Sequence, residues 1–447
     1  MSTDSSPADA PATAAPHTVG AGGHVLRGVE RAIERVRSDL IGLSHCIHST
    51  PEVGFEEHRS AAIVSEFLRR HGHAPAVGVF GMPTALRVQA GTGAPRIAVL
   101  AEYDALPEVG HGCGHNVICA AAVGAFLGVS AQLVELGGSV VLLGTPAEEN
   151  GGGKEVLERA GAFDDIDAVV MVHPFTGPEE VASFTSLAVR DVEATFHGVA
   201  AHASSAPHEG RNALDAVVAA YQGVAALRQH IPATDRLHAI ISNGGSATNV
   251  VPATAALTIE VRSQTLDGLV DLSERVQRIL DGAALLTGTR LEAGWDPFPA
   301  YLPVRSNAVL AARYFTHLSA RGRRIVLDPP GLVGGGWSTD LGNVSVRRPA
   351  IHPTVSISPK PIVMHTARFG RQAVSPLGDA AVIDSAVGLA ATMADYLADP
   401  MLRVAVDRDF AAAGGRVEVE RLLAAPESAL VPESAAASSS SSSSDGT

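Results

Sequence analysis

The sequence predicts an α/β protein, a mainly parallel sheet whose chain is interrupted by a separate α+β unit. Three observations carry this reading. Short apolar runs at 97–101, 140–143 and 168–172 alternate with helical stretches, the pattern of parallel strands covered on both faces. Residues 189–295 instead read strand, helix, strand, strand, helix, strand. The 447 residues are 46% hydrophobic and 18% charged, enough apolar material for more than one core.

Taken in order, residues 1–23 are mostly Ala, Pro, Ser, Thr and Gly with acids at Asp4 and Asp9. They predict a disordered arm and lack the basic start and apolar stretch of a signal peptide. Residues 25–48 and 57–70 repeat apolar positions at three and four residues, as in Ile63 with Phe67, and predict two amphipathic helices. The stretch 117–136 is rich in Ala and Gly and carries Gln132 and Glu135, so it reads as a buried helix rather than a membrane span. Strands at 189–196, 238–242, 255–261 and 290–295 with helices at 213–231 and 266–286 follow the β-α-β-β-α-β order of a ferredoxin-like unit. From about Pro303 the chain returns to the first domain through strands near 351–357 and a helix at 377–397. Beyond Phe410 it thins into Ala, Gly and Glu and then a serine run at 438–444, a low-complexity tail. The expected divisions are therefore 1–23, 24–186, the insertion 187–296, the second part of the main domain 297–410, and the tail 411–447.

Composition narrows the function. Thirty-three Lys and Arg against 47 Asp and Glu give a net charge of −14, which argues against nucleic-acid and anionic-membrane partners. Three cysteines, Cys46, Cys113 and Cys119, are too few for a disulfide scaffold and predict a reducing, cytoplasmic compartment. A small-molecule enzyme fits these limits.

Each predicted parallel strand runs into polar residues at its carboxyl end, where open α/β sheets place their sites. The first gives residues 101–107 (Ala-Glu-Tyr-Asp-Ala-Leu-Pro) and 110–116 (Gly-His-Gly-Cys-Gly-His-Asn), the second 145–150 (Thr-Pro-Ala-Glu-Glu-Asn), and the third Val172-His173-Pro174. Cys113 and His115 flank a glycine, so both side chains can face one centre, and thiolate with imidazole suits an ion such as zinc. Alone, this is more often a buried thiol beside a loop histidine. Glu148 and Glu149 would ordinarily be a solvated loop pair, yet adjacent side chains diverge, so one can bind metal while the other moves a proton. His173 alone is more often a core histidine. Their recurrence at equivalent ends of neighbouring strands favours a site.

The segments Glu-Val-Gly-Phe-Glu-Glu (52–57), Asp104-Ala-Leu-Pro, Cys113-Gly-His115-Asn, Pro146-Ala-Glu148-Glu149, Val172-His173-Pro and Ala201-His202-Ala, in unbroken order over roughly residues 25–400, resemble metallopeptidase family twenty. This is the family of dinuclear metal amidohydrolases that includes aminoacylases, hippuricases, aminobenzoyl-glutamate hydrolases and dipeptidases. The variants Ala-Glu-Tyr-Asp and Glu148-Glu149-Asn150-Gly-Gly-Gly-Lys154 are most similar to its aminobenzoyl-glutamate hydrolase and β-alanyl dipeptidase branch. The resemblance implies a catalytic main domain, with 187–296 as a lid and dimerisation domain. It implies two divalent ions per chain, zinc first and manganese or cobalt as alternatives, with Cys113 bridging and His115, Glu149, His173 and His365 completing their shells. His365 rests on the resemblance alone. Glu148 would be the general base and Asp104 would orient the site. His202 and Asn249 would reach the substrate, His202 from the partner of a homodimer. Arg262 either pairs a substrate carboxylate or forms an ordinary strand-end ion pair. Glu102 stands where many relatives place a metal-binding histidine, and its role is open. His111, His197, His208, His230 and Lys154 read as structural or surface residues.

The expected activity is hydrolysis of the amide bond in a small N-acyl amino acid or dipeptide. Two rivals carry distinct signatures. A metal-binding but inactive scaffold of the same fold would lack Glu148 or a ligand, and none is missing. A cysteine hydrolase using Cys113 with His115 would need an orienting acid and an oxyanion loop, and would resist chelators.

Overall fold

The computed structural model describes residues 20–327 and 336–428. The predicted helix at 25–48 is two helices, Gly23–Arg35 and Arg37–His48, because Val36 leaves helical geometry at φ −108°. A third helix, His58–Arg70, follows. Seven strands come before the insertion: β1 Ala76–Val77, β2 Leu86–Gly91, β3 Arg96–Ala101, β4 Ser139–Gly144, β5 Ala168–Val170, β6 His173–Phe175 and β7 Glu180–Val181. The insertion contributes β8 Ala188–His197, β9 Arg236–Asn243, β10 Thr254–Ser263 and β11 Arg290–Trp295, and the returning chain β12 Ile325–Val326, β13 Ala350–Ile351 and β14 Thr354–Ser356.

Among the described residues the main sheet has the order β1-β2-β4-β3-β5-β13. Its centre is parallel (β4-β3-β5-β13), and β2 and β1 close one edge antiparallel. Every β4 residue is buried, as are five of six in β3, because helices cover both faces. The helices His115–Ser130 and Pro376–Ala398 pack on each other through side chains buried over nearly their whole length. Pro376–Ala398 is long and apolar enough to cross a membrane, but here its apolar surface is spent in the core.

The insertion folds around its own core. Its sheet order is β11-β8-β10-β9, antiparallel throughout, with β8 and β10 alternating buried and partly exposed residues. The buried set, including Val192, Phe196, Leu257 and Ile259, packs on the helices Ala213–Leu227 and Leu266–Thr287. This is the ferredoxin-like arrangement. Strand β9 is an edge, and its Ile240 and Ile241 are 66% and 44% exposed.

Both chain ends depart from expectation. Gly20 and Ala21 donate backbone N–H groups to Asp399 and Asp395, so the anchored chain begins inside the predicted arm. Residues 411–428 are not featureless: Val417 pairs by its backbone with Val346, Val419 is 2% exposed, and Arg347 binds Glu420 at 2.9 Å. A few apolar and charged residues, diluted in the tail's average composition, suffice to dock it. The serine run and residues 1–19 lie outside the described residues.

Glu57 shows how the fold supports the loop after β4. Its carboxyl accepts from Thr84 Oγ1 and from the backbone N–H of Ala147, each at 2.8 Å. Ala147 has φ +60°, a conformation that costs a non-glycine residue about 1 kcal/mol and so needs such a hold. Burial, and then the nearby Asp104 carboxylate, push the Glu57 pKa from 4.5 up to about 7. The folded protein therefore keeps a proton that the unfolded chain releases. Stability from this group is complete below pH 4.5 and is lost as pH rises through 7. Once pH has risen through this window Glu57→Gln should remove a loss of about 3 kcal/mol; identical pH dependence of thermal unfolding in wild type and variant would contradict it.

Candidate metal centre and cavity

The parallel register sets Ala101 beside Gly144 and Val99 beside Val170, so residues 102–104, 145–149 and 171–173 leave the sheet at one edge. Gly114, between Cys113 and His115, has φ +80°, and a Cβ there would lie 2.7 Å from Pro174 Cγ. The left-handed glycine turns the chain so that His115 opens the following helix with Cys113 beside it.

Asp104 organises the centre. One oxygen bonds His115 Nδ1 at 2.9 Å and the other accepts the Glu149 backbone N–H at 2.9 Å. Nε2 of His115 then faces inward, 3.6 Å from Glu102 Oε2 and 3.8 Å from oxygens of Glu148 and Glu149. His173 is held by its Nδ1 to the Pro174 carbonyl at 2.8 Å, leaving Nε2 for the centre. Cys113 Sγ lies 3.5 Å from Nε2 of His173 and 3.5 Å from Nε2 of His365, and His365 Nε2 lies 3.4 Å from Glu149 Oε2.

Two donor groups result, Cys113 with His115 and His173, and Cys113 with Glu149 and His365, and they share the sulfur. Ligand atoms about 2.1 Å from a tetrahedral ion lie roughly 3.4 Å apart, which matches these spacings. Glu102 Oε2, His115 Nε2 and Glu149 Oε1 are buried without a hydrogen-bond partner among the described residues. The set therefore fits divalent cations. The electrostatics agree. Burial pushes the Cys113 thiol and the Glu148 carboxyl far up, reinforced by Glu149 and Glu102 respectively; burial also raises Glu149. Burial opposes the charged form of His115, yet Asp104 holds its pKa well above the imidazole range. Cations held by these residues would relieve this crowding by taking the place of the protons.

Lys154 is not a surface residue. Its ammonium is wholly buried between Glu102 and Asp340, 2.5 Å from Asp340 Oδ1, and its backbone N–H bonds Asp340 Oδ2 at 2.8 Å. The carboxylates of Glu102, Glu148 and Asp340 also cluster closely enough for an ion, but there Lys154 supplies the positive charge. This gives Glu102 a place: one oxygen on Lys154, the other facing His115. Of the remaining histidines left aside by sequence reading, His111 is buried, His197 pairs with Glu292 at 3.1 Å, and His208 and His230 are exposed.

A cavity of about 560 Å³ opens over the cluster between the two domains. Glu148 lines it, and the Glu148 carbonyl accepts from Tyr301 Oη at 2.5 Å. Arg262 lines it too, but Glu260 already engages the guanidinium bidentately at 2.7 and 2.9 Å, so the ion-pair alternative is realised. His202 and Asn249 are not brought to the cavity. They sit together and exposed on the insertion, joined by the Ala203 N–H to Asn249 carbonyl bond at 3.0 Å. Sequence reading missed Tyr301, Trp337, Asp340 and His352. For His352 a signal existed: Ile351-His352-Pro353 repeats the apolar-His-Pro pattern of residues 172–174.

Comparison with known proteins follows the same lines. Residues 189–286 match the peptidase dimerisation domain of the M20 family. The chain is 36% identical over 398 residues to the Xaa-Arg dipeptidase of Mus musculus, spanning 86% of this chain and 91% of that protein. It is 36% identical over 307 residues to one of the subunits of the p-aminobenzoyl-glutamate hydrolase of Escherichia coli, spanning 63% of each. In fold it resembles a dinuclear metal-binding peptidase of the M20 family from Bacillus subtilis, with TM-score 0.63 and 18% identity over 81% of this chain and 99% of that one. An aminobenzoyl-glutamate utilization protein from Klebsiella pneumoniae has TM-score 0.60 and 21% identity over 81% and 98%. Fold and relatives define a hydrolase of the peptidase and amidase type. The chain belongs to the M20 peptidase family.

Proposed function

We propose that the protein is a dinuclear metal-dependent amidohydrolase that cleaves the amide bond of a small dipeptide or N-acyl amino acid in the cytoplasm. The observation that carries this is the pair of donor groups sharing Cys113 beside Glu148 at the floor of the cavity. Cys113, His115 and His173 would hold one ion, and Cys113, Glu149 and His365 the other. Zinc is the first choice, with manganese or cobalt as alternatives; such ions polarise an amide carbonyl and acidify water toward neutral pH. Asp104 keeps the Nδ1 proton of His115 and so aims Nε2 inward. Glu148, buried and held through its backbone by Tyr301, takes the proton of the attacking water and passes it to the leaving nitrogen.

The exposed isoleucines of edge strand β9 support a homodimer joined through the insertion. Such a dimer supplies His202 and Asn249 to the partner's cavity, which accounts for their distance from their own. Mixing His202→Ala chains with Glu148→Gln chains should then restore part of the activity, since one site of the mixed dimer carries both intact residues. No recovery despite demonstrated subunit exchange would place His202 outside the partner's site.

A second observation narrows the substrate. Asp191 lines the cavity and makes no ion pair or side-chain hydrogen bond among the described residues. Burial and then Glu260 raise its pKa to about 6. Near neutral pH it is a carboxylate suited to a cationic side chain, and the Xaa-Arg dipeptidase relatives support that reading. The test is hydrolysis by metal-loaded protein of β-alanyl dipeptides ending in arginine, lysine or alanine, and of aminobenzoyl-glutamate, with metal content measured in parallel. We expect two ions per chain, inactivation by chelator, and preference for the basic dipeptides that weakens below pH 6. Full activity with one ion or fewer would reject the dinuclear reading, and equal kcat/KM for neutral and basic dipeptides would reject the role of Asp191.

A further inference from the structure

Beside the donor cluster lies a histidine that no step above uses. His352 is 1% exposed, it lines the cavity, and neither ring nitrogen has a hydrogen-bond partner among the described residues. Its place follows from the sheet. Strands β5 and β13 pair in parallel with Ile351 opposite Val170, so the two His-Pro dipeptides follow neighbouring strand ends. The His352 ring stands edge-on to His173 with centroids 5.7 Å apart, and Phe184 packs against it at 5.5 Å. Its orientation is therefore set by packing rather than by hydrogen bonds. Ser338, whose hydroxyl is also buried and unpartnered among the described residues, lines the same cavity.

A buried imidazole with no partner costs about 1 to 3 kcal/mol, and a fold that keeps one at the wall of a cavity gains from it when something binds there. His352 belongs to neither donor group that shares Cys113. In either protonation state an imidazole presents at least one N–H. An N–H at the cavity wall, with the buried Ser338 hydroxyl lining the same cavity, suits an oxygen acceptor of the substrate. We propose that His352 is a substrate-binding residue whose ring N–H, with the Ser338 hydroxyl, bonds an oxygen of the bound substrate on the His173 side of the cavity. This deepens the amidohydrolase reading and rests on it. The oxygen belongs either to the scissile carbonyl or to the terminal carboxylate.

Three full-length, metal-loaded proteins decide the matter: wild type, His352→Phe, which keeps the ring packing and removes both nitrogens, and His352→Asn, which keeps an N–H donor. Affinity by calorimetry and turnover are measured separately on β-alanyl-arginine and on its C-terminal methyl amide, with metal content and Tm alongside. His352→Phe should lose at least about tenfold in kcat/KM or affinity with metal content unchanged, and His352→Asn should recover much of it. A kcat loss shared by acid and amide assigns the carbonyl oxygen; a KM increase confined to the acid assigns the carboxylate. Should His352→Phe fail to fold, His352→Leu carries the same comparison. A protein that binds but never hydrolyses the dipeptide would sink the hydrolase reading alone, and the affinity difference would still judge His352. Wild-type affinity and turnover in the nitrogen-free variant, or equal losses in both variants accompanied by lost metal, would overturn the proposal.

Discussion

Glu148→Gln is expected to keep the fold and the metal content and to lose about 10² to 10⁴-fold in kcat, the range that general acid-base catalysis supplies. The amide matches the carboxyl in size, so packing beneath the cavity is preserved. It cannot take a proton from water and return it to a leaving amine. Burial, and then the charges of Glu102, Glu149 and Asp340 around it, drive the Glu148 pKa upward. Removing one acid from that crowd should leave Tm unchanged or higher, and the combination of lost turnover with retained stability is what separates a proton carrier from a structural residue. Turnover within a few-fold of wild type would dismiss Glu148 from the mechanism.

Lys154→Met should be the most damaging single change to the fold. The ammonium has no exposure and is shared by Glu102 and Asp340, so its loss removes the one cation that bonds both buried carboxylates among the described residues. Breaking a buried ion pair from one side costs about 3 to 5 kcal/mol, whereas replacing all partners by neutral groups costs far less. The double variant Lys154→Met with Glu102→Gln should accordingly be more stable than Lys154→Met alone, although it carries an extra mutation. Denaturant unfolding of the set measures the coupling. Additive losses would mean that Lys154 stabilises through its packing and not through its charge.

The strand ends were legible because a parallel sheet buried on both faces writes itself as short apolar runs, and the polar residues that follow have to emerge at one edge. Cys113, His115, Glu148, Glu149 and His173 stood out on that logic, and the insertion was legible because its six elements alternate period within residues 189–295. His365 was reachable only by likeness to a family, since no other ligand type stands beside it in the sequence and it meets Cys113 and Glu149 only across the fold.

What the sequence determined by itself was therefore local: periodicity, the turn at Gly114, and the order of the strands whose ends carry acids, thiol and imidazoles. The tertiary structure decided what those groups face. It buried Lys154 between two carboxylates that lie 52 positions before and 186 positions after it. It spent Arg262 on Glu260, carried His202 and Asn249 away from their own cavity, docked a tail whose composition promised no order, and set His352 beside His173. Each of these depends on distances across the fold, where the energy of a charge or a hydrogen bond is set by the burial and partners that packing supplies, and no spacing along the chain encodes them.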